Sequence, residues 1–186
     1  MRRAVFFDRD GVINIDHGFV GNIIDFDFIK GVKQSLSIIK KASFITVLVT
    51  NQSGIARGYY TEADFKKLSL FMQSELDLYD ARFDLILYCP HHPQALLPEY
   101  RCDCPCRKPK PGMILKASAL LDIDLSQSIM IGDRASDLMA AKSAGVKTSV
   151  LLADNTSKEI EKVPFASVFP DLATYVDSMR NIFKKN

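Results

Sequence analysis

Asp8 and Asp10, two residues apart in Asp8-Arg9-Asp10-Gly11-Val12, follow directly on the short apolar run Val5–Phe7. That run reads as a strand, and strand alternation aims residues i and i+2 to the same side. Two carboxylates so close repel each other, and a divalent cation would remove the repulsion while drawing a phosphate dianion in beside it. The pair fits a metal site with a nucleophilic carboxylate; an Asp/Gly turn is the competing reading. A second acidic segment, Ile131-Gly132-Asp133-Arg134-Ala135-Ser136-Asp137, leaves another apolar run and enters a helical pattern. It brings Asp133 to the same end of the sheet and Asp137 one turn further on, although acids also suit any helix N-terminus. Val49-Thr50-Asn51-Gln52-Ser53-Gly54 ends a third run with a hydroxyl and amides suited to phosphate oxygens, or to a polar turn. Arg107-Lys108-Pro109-Lys110-Pro111-Gly112 supplies fixed positive charge ahead of a helix, or a solvated basic loop.

All four cysteines lie between Cys89 and Cys106, three of them in Cys102-Asp103-Cys104-Pro105-Cys106. A secreted disulfide framework would spread them along the chain, so the crowding suits a metal clip in a reducing compartment. Cys89-x-His91 with Cys104-x-Cys106 offers three thiolates and an imidazole, the closed tetrahedral set of a structural Zn2+ site. Cys102 with Cys104 is the alternative second pair, and His92 reads as a loop residue. Five prolines between Cys89 and Pro111 leave this stretch without a core of its own. A cross-link there would hold Arg107 and Lys108 still.

Positioning these groups calls for a sheet. Val5–Phe7, Phe44–Val49, Leu85–Tyr88, Ile129–Ile131 and Val146–Leu152 are short, rich in β-branched and aromatic residues and poor in charge, as parallel strands covered on both faces are. Between them, apolar residues recur at helical intervals in Val32/Leu36/Ile39, Phe65/Leu68/Met72/Leu76/Tyr79, Ile114/Ala117/Leu121 and Leu138/Ala141. Thr61 with Asp64 reads as a capping box and Gly145 as a helix stop near Ala144. A last strand near Val168 and a helix from about Leu172 to Phe183 precede the polar tail Lys184-Lys185-Asn186. The pattern predicts an α/β fold, a three-layer α/β/α sandwich with a Rossmann-like parallel sheet, as a single domain over residues 1–186. Ligands are then expected outside the carboxyl ends of the strands.

Composition narrows the function classes. The chain has 186 residues, 47% of them hydrophobic, enough for a real core, and its formal net charge of +2 is too balanced for a nucleic-acid coat. An acid at position 8 interrupts any signal-peptide core, and no apolar run is long enough for a bilayer. The expectations are a cytoplasmic protein with no nucleic-acid or membrane partner, monomeric by default.

Taken in order, Asp8-x-Asp10-Gly11-Val12, Thr50-Asn51, Lys108-Pro109 and Gly132-Asp133-x3-Asp137 resemble the four motifs of the haloacid dehalogenase-like phosphatase superfamily. Within it the chain is most similar to the D-glycero-D-manno-heptose 1,7-bisphosphate phosphatases. The likeness runs through Asp16-His17-Gly18-Phe19, Thr50 to Gly58, Cys89-Pro90-His91-His92-Pro93 and Cys106-Arg107-Lys108-Pro109. The resemblance implies a small phosphorylated sugar as substrate, losing its 7-phosphate in nucleotide-activated heptose synthesis for surface glycans. It implies Asp8 as nucleophile, Asp10 as general acid and base, and Thr50, Asn51 and Lys108 around the phosphoryl oxygens. Mg2+ would be held by Asp8, the Asp10 main-chain carbonyl and Asp133, with Asp137 orienting the site. Asp16, His17, Gly18, Phe19, Gln52, Ser53, Arg107 and Arg134 would face the substrate, with Arg57 either helping or an ordinary surface residue. Phe19 stands where the family often has tyrosine and Arg134 where lysine is frequent. The segments between strands are already used by helices and the zinc loop, so a capless form is expected. Histidinol-phosphate phosphatase activity is the alternative, favoured less by Asp16-His17-Gly18. A catalytically silent zinc-bearing binding module is the alternative of another class, and it would need neither a nucleophile nor an acid.

Overall fold

A computed structural model describes residues 1–183; the predicted polar tail Lys184-Lys185-Asn186 lies outside the described residues. Six strands, β1 (Ala4–Phe7), β2 (Ile45–Asn51), β3 (Leu85–Cys89), β4 (Ile129–Gly132), β5 (Thr148–Leu152) and β6 (Ser167–Phe169), form one parallel sheet in the order β3-β2-β1-β4-β5-β6. Helices α1 (Val32–Lys41), α2 (Ser53–Ala56), α3 (Glu62–Asp77), α4 (Gly112–Leu121), α5 (Ala135–Ala144), α6 (Glu159–Lys162) and α7 (Leu172–Ser178) complete the predicted sandwich. Strand alternation divides the core. Val5 and Phe7 pack with Leu36, Leu68 and Tyr175 on one face, whereas Ala4 and Phe6 pack with Ile114, Ala117 and Leu138 on the other. At about 25 cal/mol per Å² of apolar surface removed from water, these two faces supply the main driving force for folding.

The chain runs outward from β1 through β2 to β3, then returns to the other side of β1 for β4. This reversal opens a crevice between the carboxyl ends of β1 and β4, where parallel α/β sheets collect ligands. Register sharpens it: Phe7 pairs with Ile131, and the Asp8 amide donates to the Ile131 carbonyl at 3.1 Å. Asp8 and Asp133 therefore leave adjacent strands side by side.

Local signals acted as expected at two helix ends. Thr61 and Asp64 form both halves of the capping box at α3. Gly145 closes α5 in the left-handed region at φ 90°, and the following Val146 amide donates back to the Ala141 carbonyl at 2.9 Å. That bond explains why β5 begins at Thr148 and not at Val146. Helix α7 ends at Ser178, short of the predicted Phe183. The chain turns instead, and the Phe183 ring packs edge-on against Phe44 and Tyr175. The short helices α2 and α6 carry too few residues for a periodic signal.

Candidate functional site

Lys108 is the hub of the crevice. Its ammonium lies 2.9 Å from Asp8 Oδ1, 2.7 Å from Asp137 Oδ1 and 2.8 Å from the Val49 carbonyl, so all three N–H donors are used. The side chain is almost wholly buried. Burial alone would lower its pKa, but the Asp137 and Asp8 charges together outweigh it and push the value up to about 12. Asn51 holds the Lys108 backbone: its Oδ1 accepts from the Lys108 amide at 3.1 Å and its Nδ2 donates to the Lys108 carbonyl at 3.0 Å. The end of β2 thus clamps the basic loop across 57 residues of sequence.

Carboxylate oxygens of Asp8, Asp133 and Asp137 lie within 4.8 Å of one another. Lys108 serves two of them, but Asp133 Oδ1 is buried with no hydrogen-bond partner, and Oδ2 has only Arg134 Nε at 3.8 Å. Burial, then the charges of Asp8 and Asp137, pushes the Asp133 pKa up to about 8. Burial also raises Asp8, against the pull of Lys108. Three converging oxygen ligands with one orphaned atom suit a hard divalent cation such as Mg2+, which would remove the repulsion. Gly11 makes room for this group: at φ 77° it carries no side chain, and a Cβ there would sit 2.3 Å from Asp133 Oδ2.

Asp10 lies apart from this trio. Arg9 NH2 donates to its two oxygens at 2.9 and 3.0 Å, Asn14 Nδ2 donates to Oδ1 at 3.0 Å, and Gln52 Nε2 donates to Oδ2 at 3.2 Å. Asp8, Asp10, Lys108 and Asp137 open into one cavity of about 470 Å³. Asp16, Gly18, Phe19, Arg107 and Arg134 line the same cavity, as do Asn51, Gln52 and Ser53. Arg134 reaches across to Asp16 Oδ2 at 3.0 Å, whose other oxygen accepts from the Gly18 amide at 2.9 Å. Phe19 adopts φ 53° and packs edge-on to Tyr59. His17 turns away to pair with Asp27 at 2.9 Å and does not line the cavity. Thr50 is 1% exposed, and its hydroxyl accepts from Gln52 Nε2 at 2.9 Å.

Beside the cavity, ligand atoms of Cys89, His91, Cys104 and Cys106 lie within 4.8 Å of one another. Their cysteines are free thiols, and Cys102 stays exposed outside the set. Burial pushes the thiols of Cys89 and Cys106 up, so a metal ion rather than bare charge would keep them as thiolates. This cluster holds the basic loop in place: Arg107 NH1 donates to the His91 carbonyl at 3.1 Å, and the Gly112 amide that opens α4 donates to the Pro105 carbonyl at 3.1 Å. His92 accepts from the Gln94 amide in a local turn, as a loop residue does.

Tyr60 and Ser136 line the cavity without having been anticipated from the sequence, and neither were Arg9 and Asn14, which hold Asp10 from outside that lining. Arg9 sits between two motif acids and is 1% exposed. Tyr60 follows Gly58-Tyr59 in a run that carries no periodic pattern.

Comparison with known proteins agrees with this geometry. A family model described as "HAD-hyrolase-like" matches residues 105–175. The D-glycero-beta-D-manno-heptose-1,7-bisphosphate 7-phosphatase of Vibrio cholerae serotype O1 is 47% identical over 180 residues, covering 96% of this chain and 93% of the relative. The protein of the same name from Escherichia coli K12 is 51% identical over 149 residues, covering 80% of this chain and 78% of the relative. Among solved structures, D,D-heptose 1.7-bisphosphate phosphatase from B. bronchiseptica, complexed with magnesium and phosphate, aligns with a TM-score of 0.82. It is 30% identical, and the match covers 96% of this chain and 98% of that one. A parallel sheet with acids at its switch point, a buried lysine between them and relatives this similar along nearly the whole chain place it in the heptose 1,7-bisphosphate phosphatase family of haloacid dehalogenase-like hydrolases.

Proposed function

We propose that this chain is a single-domain, Mg2+-dependent phosphatase that removes the 7-phosphate of D-glycero-beta-D-manno-heptose 1,7-bisphosphate. The observation that carries the reading is Asp8 at the end of β1, tethered to Lys108 at 2.9 Å, with Asp10 on the same cavity wall. Asp8 attacks phosphorus in line and the C7–O–P bond breaks at phosphorus, forming an aspartyl-phosphate, a mixed anhydride that water then cleaves. Asp10 protonates the departing sugar oxygen and later takes a proton from that water. Lys108 and Asn51 stand in the cavity wall toward the phosphoryl oxygens, with Thr50 buried beside them at the end of β2, and Lys108 contributes positive charge there. Asp8, Asp133 and the Asp10 carbonyl would hold Mg2+, which would supply positive charge to offset the repulsion of carboxylate and phosphate. Asp137 orients Lys108. Asp16, Gly18, Phe19, Arg107 and Arg134 are the groups at the mouth that read the sugar and its second phosphate. The product, a heptose 1-phosphate, suits nucleotide activation for surface glycans. Clustered thiols support a reducing, cytoplasmic setting, and no helix among the described residues is long and apolar enough to cross a membrane.

Phosphate release with Mg2+ from both anomers of the heptose bisphosphate, and from histidinol phosphate, tests the assignment. The beta anomer should lead, with 31P NMR showing loss of the 7-phosphate signal; preference for histidinol phosphate would replace the reading.

Zn2+ is the ion we assign to Cys89, His91, Cys104 and Cys106, because three thiolates and one imidazole make a closed tetrahedral site. Cys106 directly precedes Arg107 and Lys108, so loss of the ion frees both. Cys106→Ser, or chelation, should lower Tm and reduce kcat/KM on the order of tenfold, the scale seen when groups supporting a site are removed. The Mg2+ dependence should stay in place. A zinc-free protein with unchanged Tm and turnover would refute the assignment.

A further inference from the structure

We propose that Tyr60 is a positioning residue for Asp10, acting through the side-chain amide of Gln52; the role assigned to Asp10 rests on the phosphatase reading above. Gln52 sits in the cavity wall, but both of its amide N–H donors are taken up inside the protein. Its Nε2 donates to Thr50 Oγ1 at 2.9 Å and to Asp10 Oδ2 at 3.2 Å, and its Oε1 accepts from the Tyr60 hydroxyl at 2.5 Å. The residue is 1% exposed. Either end of an amide could face Asp10, and a carbonyl there would repel the carboxylate. Tyr60 decides between them: a hydroxyl donating to Oε1 holds the amide with its nitrogen toward Asp10 and Thr50.

Tyr60 is itself fixed by shape. Its ring lies in a slot between two backbone segments that both lack a side chain. A Cβ on Gly21 would fall 2.2 Å from ring atom Cδ1, and one on Gly54 would fall 2.3 Å from Cε1. The ring therefore links the loop after β1 to the start of α2. Burial pushes the hydroxyl up to about 12, so it remains a donor through the neutral range. Arg9 and Asn14 hold Asp10 from other directions. The Tyr60–Gln52 arm is the one that ties the acid to Thr50 on the neighbouring strand.

A residue that places the general acid matters in proportion to how badly the leaving group needs a proton. A sugar alkoxide needs one; nitrophenolate does not. Tyr60→Phe should therefore slow single-turnover cleavage of the heptose bisphosphate about 10- to 100-fold, as a small misplacement of a catalytic group does. KM should stay within about twofold, and single-turnover release of nitrophenolate from p-nitrophenyl phosphate should keep its wild-type rate. Gly54→Ala, which displaces the ring while leaving its hydroxyl, should give the same split. Gln52→Met should lose no further activity when Tyr60→Phe is added, because both act on one path. Equal slowing on both substrates, or none on either, would overturn the proposal. If the wild type does not cleave heptose bisphosphate, the substrate assignment fails alone. D-Mannose 6-phosphate against p-nitrophenyl phosphate then decides the Tyr60 proposal by the same split.

Discussion

Asp8→Asn should reduce phosphate release by about 10⁴-fold or more, because an amide nitrogen or oxygen cannot replace the carboxylate that takes up the phosphoryl group. The same change should raise Tm in the absence of divalent cation. Asp8 is one of three carboxylates packed within 4.8 Å, and burial raises its pKa above the ordinary carboxylate value. A buried acid whose folded pKa is raised binds its proton more tightly when folded. It therefore costs the fold stability as pH climbs past the unfolded value of 3.8. Asparagine removes that cost, so activity and stability move in opposite directions, as they do where a site stores repulsion for function. Rapid-quench labelling with radioactive substrate should show an acid-stable, base-labile protein phosphate in the wild type and none in the variant. A variant that keeps more than about a hundredth of the activity would overturn the nucleophile assignment.

Lys108→Met should unfold far more easily and lose most of its turnover. The buried lysine pairs with both Asp8 and Asp137, and removing one partner of a buried ion pair costs about 3–5 kcal/mol. For a chain of this size that corresponds to a fall in Tm on the order of 10 °C. Lys108 has its pKa raised above 10.5, so its contribution is fully present below that value and is lost only as pH rises through about 12. The wild-type contribution should therefore be constant across neutral pH. Added Mg2+ should recover part of the Tm in Lys108→Met, since a second cation can meet the same charges, but it should not recover the rate. Lys108→Arg should not rescue either quantity: three acceptors surround one ammonium here, and a planar guanidinium presents its donors in a fork. Calorimetry with and without Mg2+, alongside phosphate release, checks both; a Tm within a degree or two of wild type would deny Lys108 its structural role.

Much of this site was legible before any coordinates because its parts are local. A capping box is four residues of short-range bonding, and Thr61 with Asp64 formed it. Acids at strand ends follow from alternation and from where an apolar run stops, so Asp8 and Asp133 could be placed without knowing which strands are neighbours. Other features were not local. Cys102 and Cys106 are equally good partners for Cys104 by type, and only the path of the loop leaves Cys102 in solvent while Cys106 joins Cys89, His91 and Cys104. Gln52 looks like a substrate contact by composition, but its partners are Thr50, Asp10 and Tyr60. His17, adjacent to a cavity residue, faces Asp27 instead.

By itself the sequence determined the reaction class: which groups can attack, donate protons, bind metal or neutralise charge, and that a buried parallel sheet must carry them. Those are properties of residue types and short-range periodicity. Tertiary structure alone decided that the groups cooperate. Reversal of strand order at β1 sets Asp8 beside Asp133, Asn51 brings Lys108 from 57 residues away, and a slot between two glycines aims Tyr60 at Gln52. Packing sets those neighbours, since each strand and ring finds its place by the surface it buries against distant parts of the chain, and no short stretch of sequence records that choice.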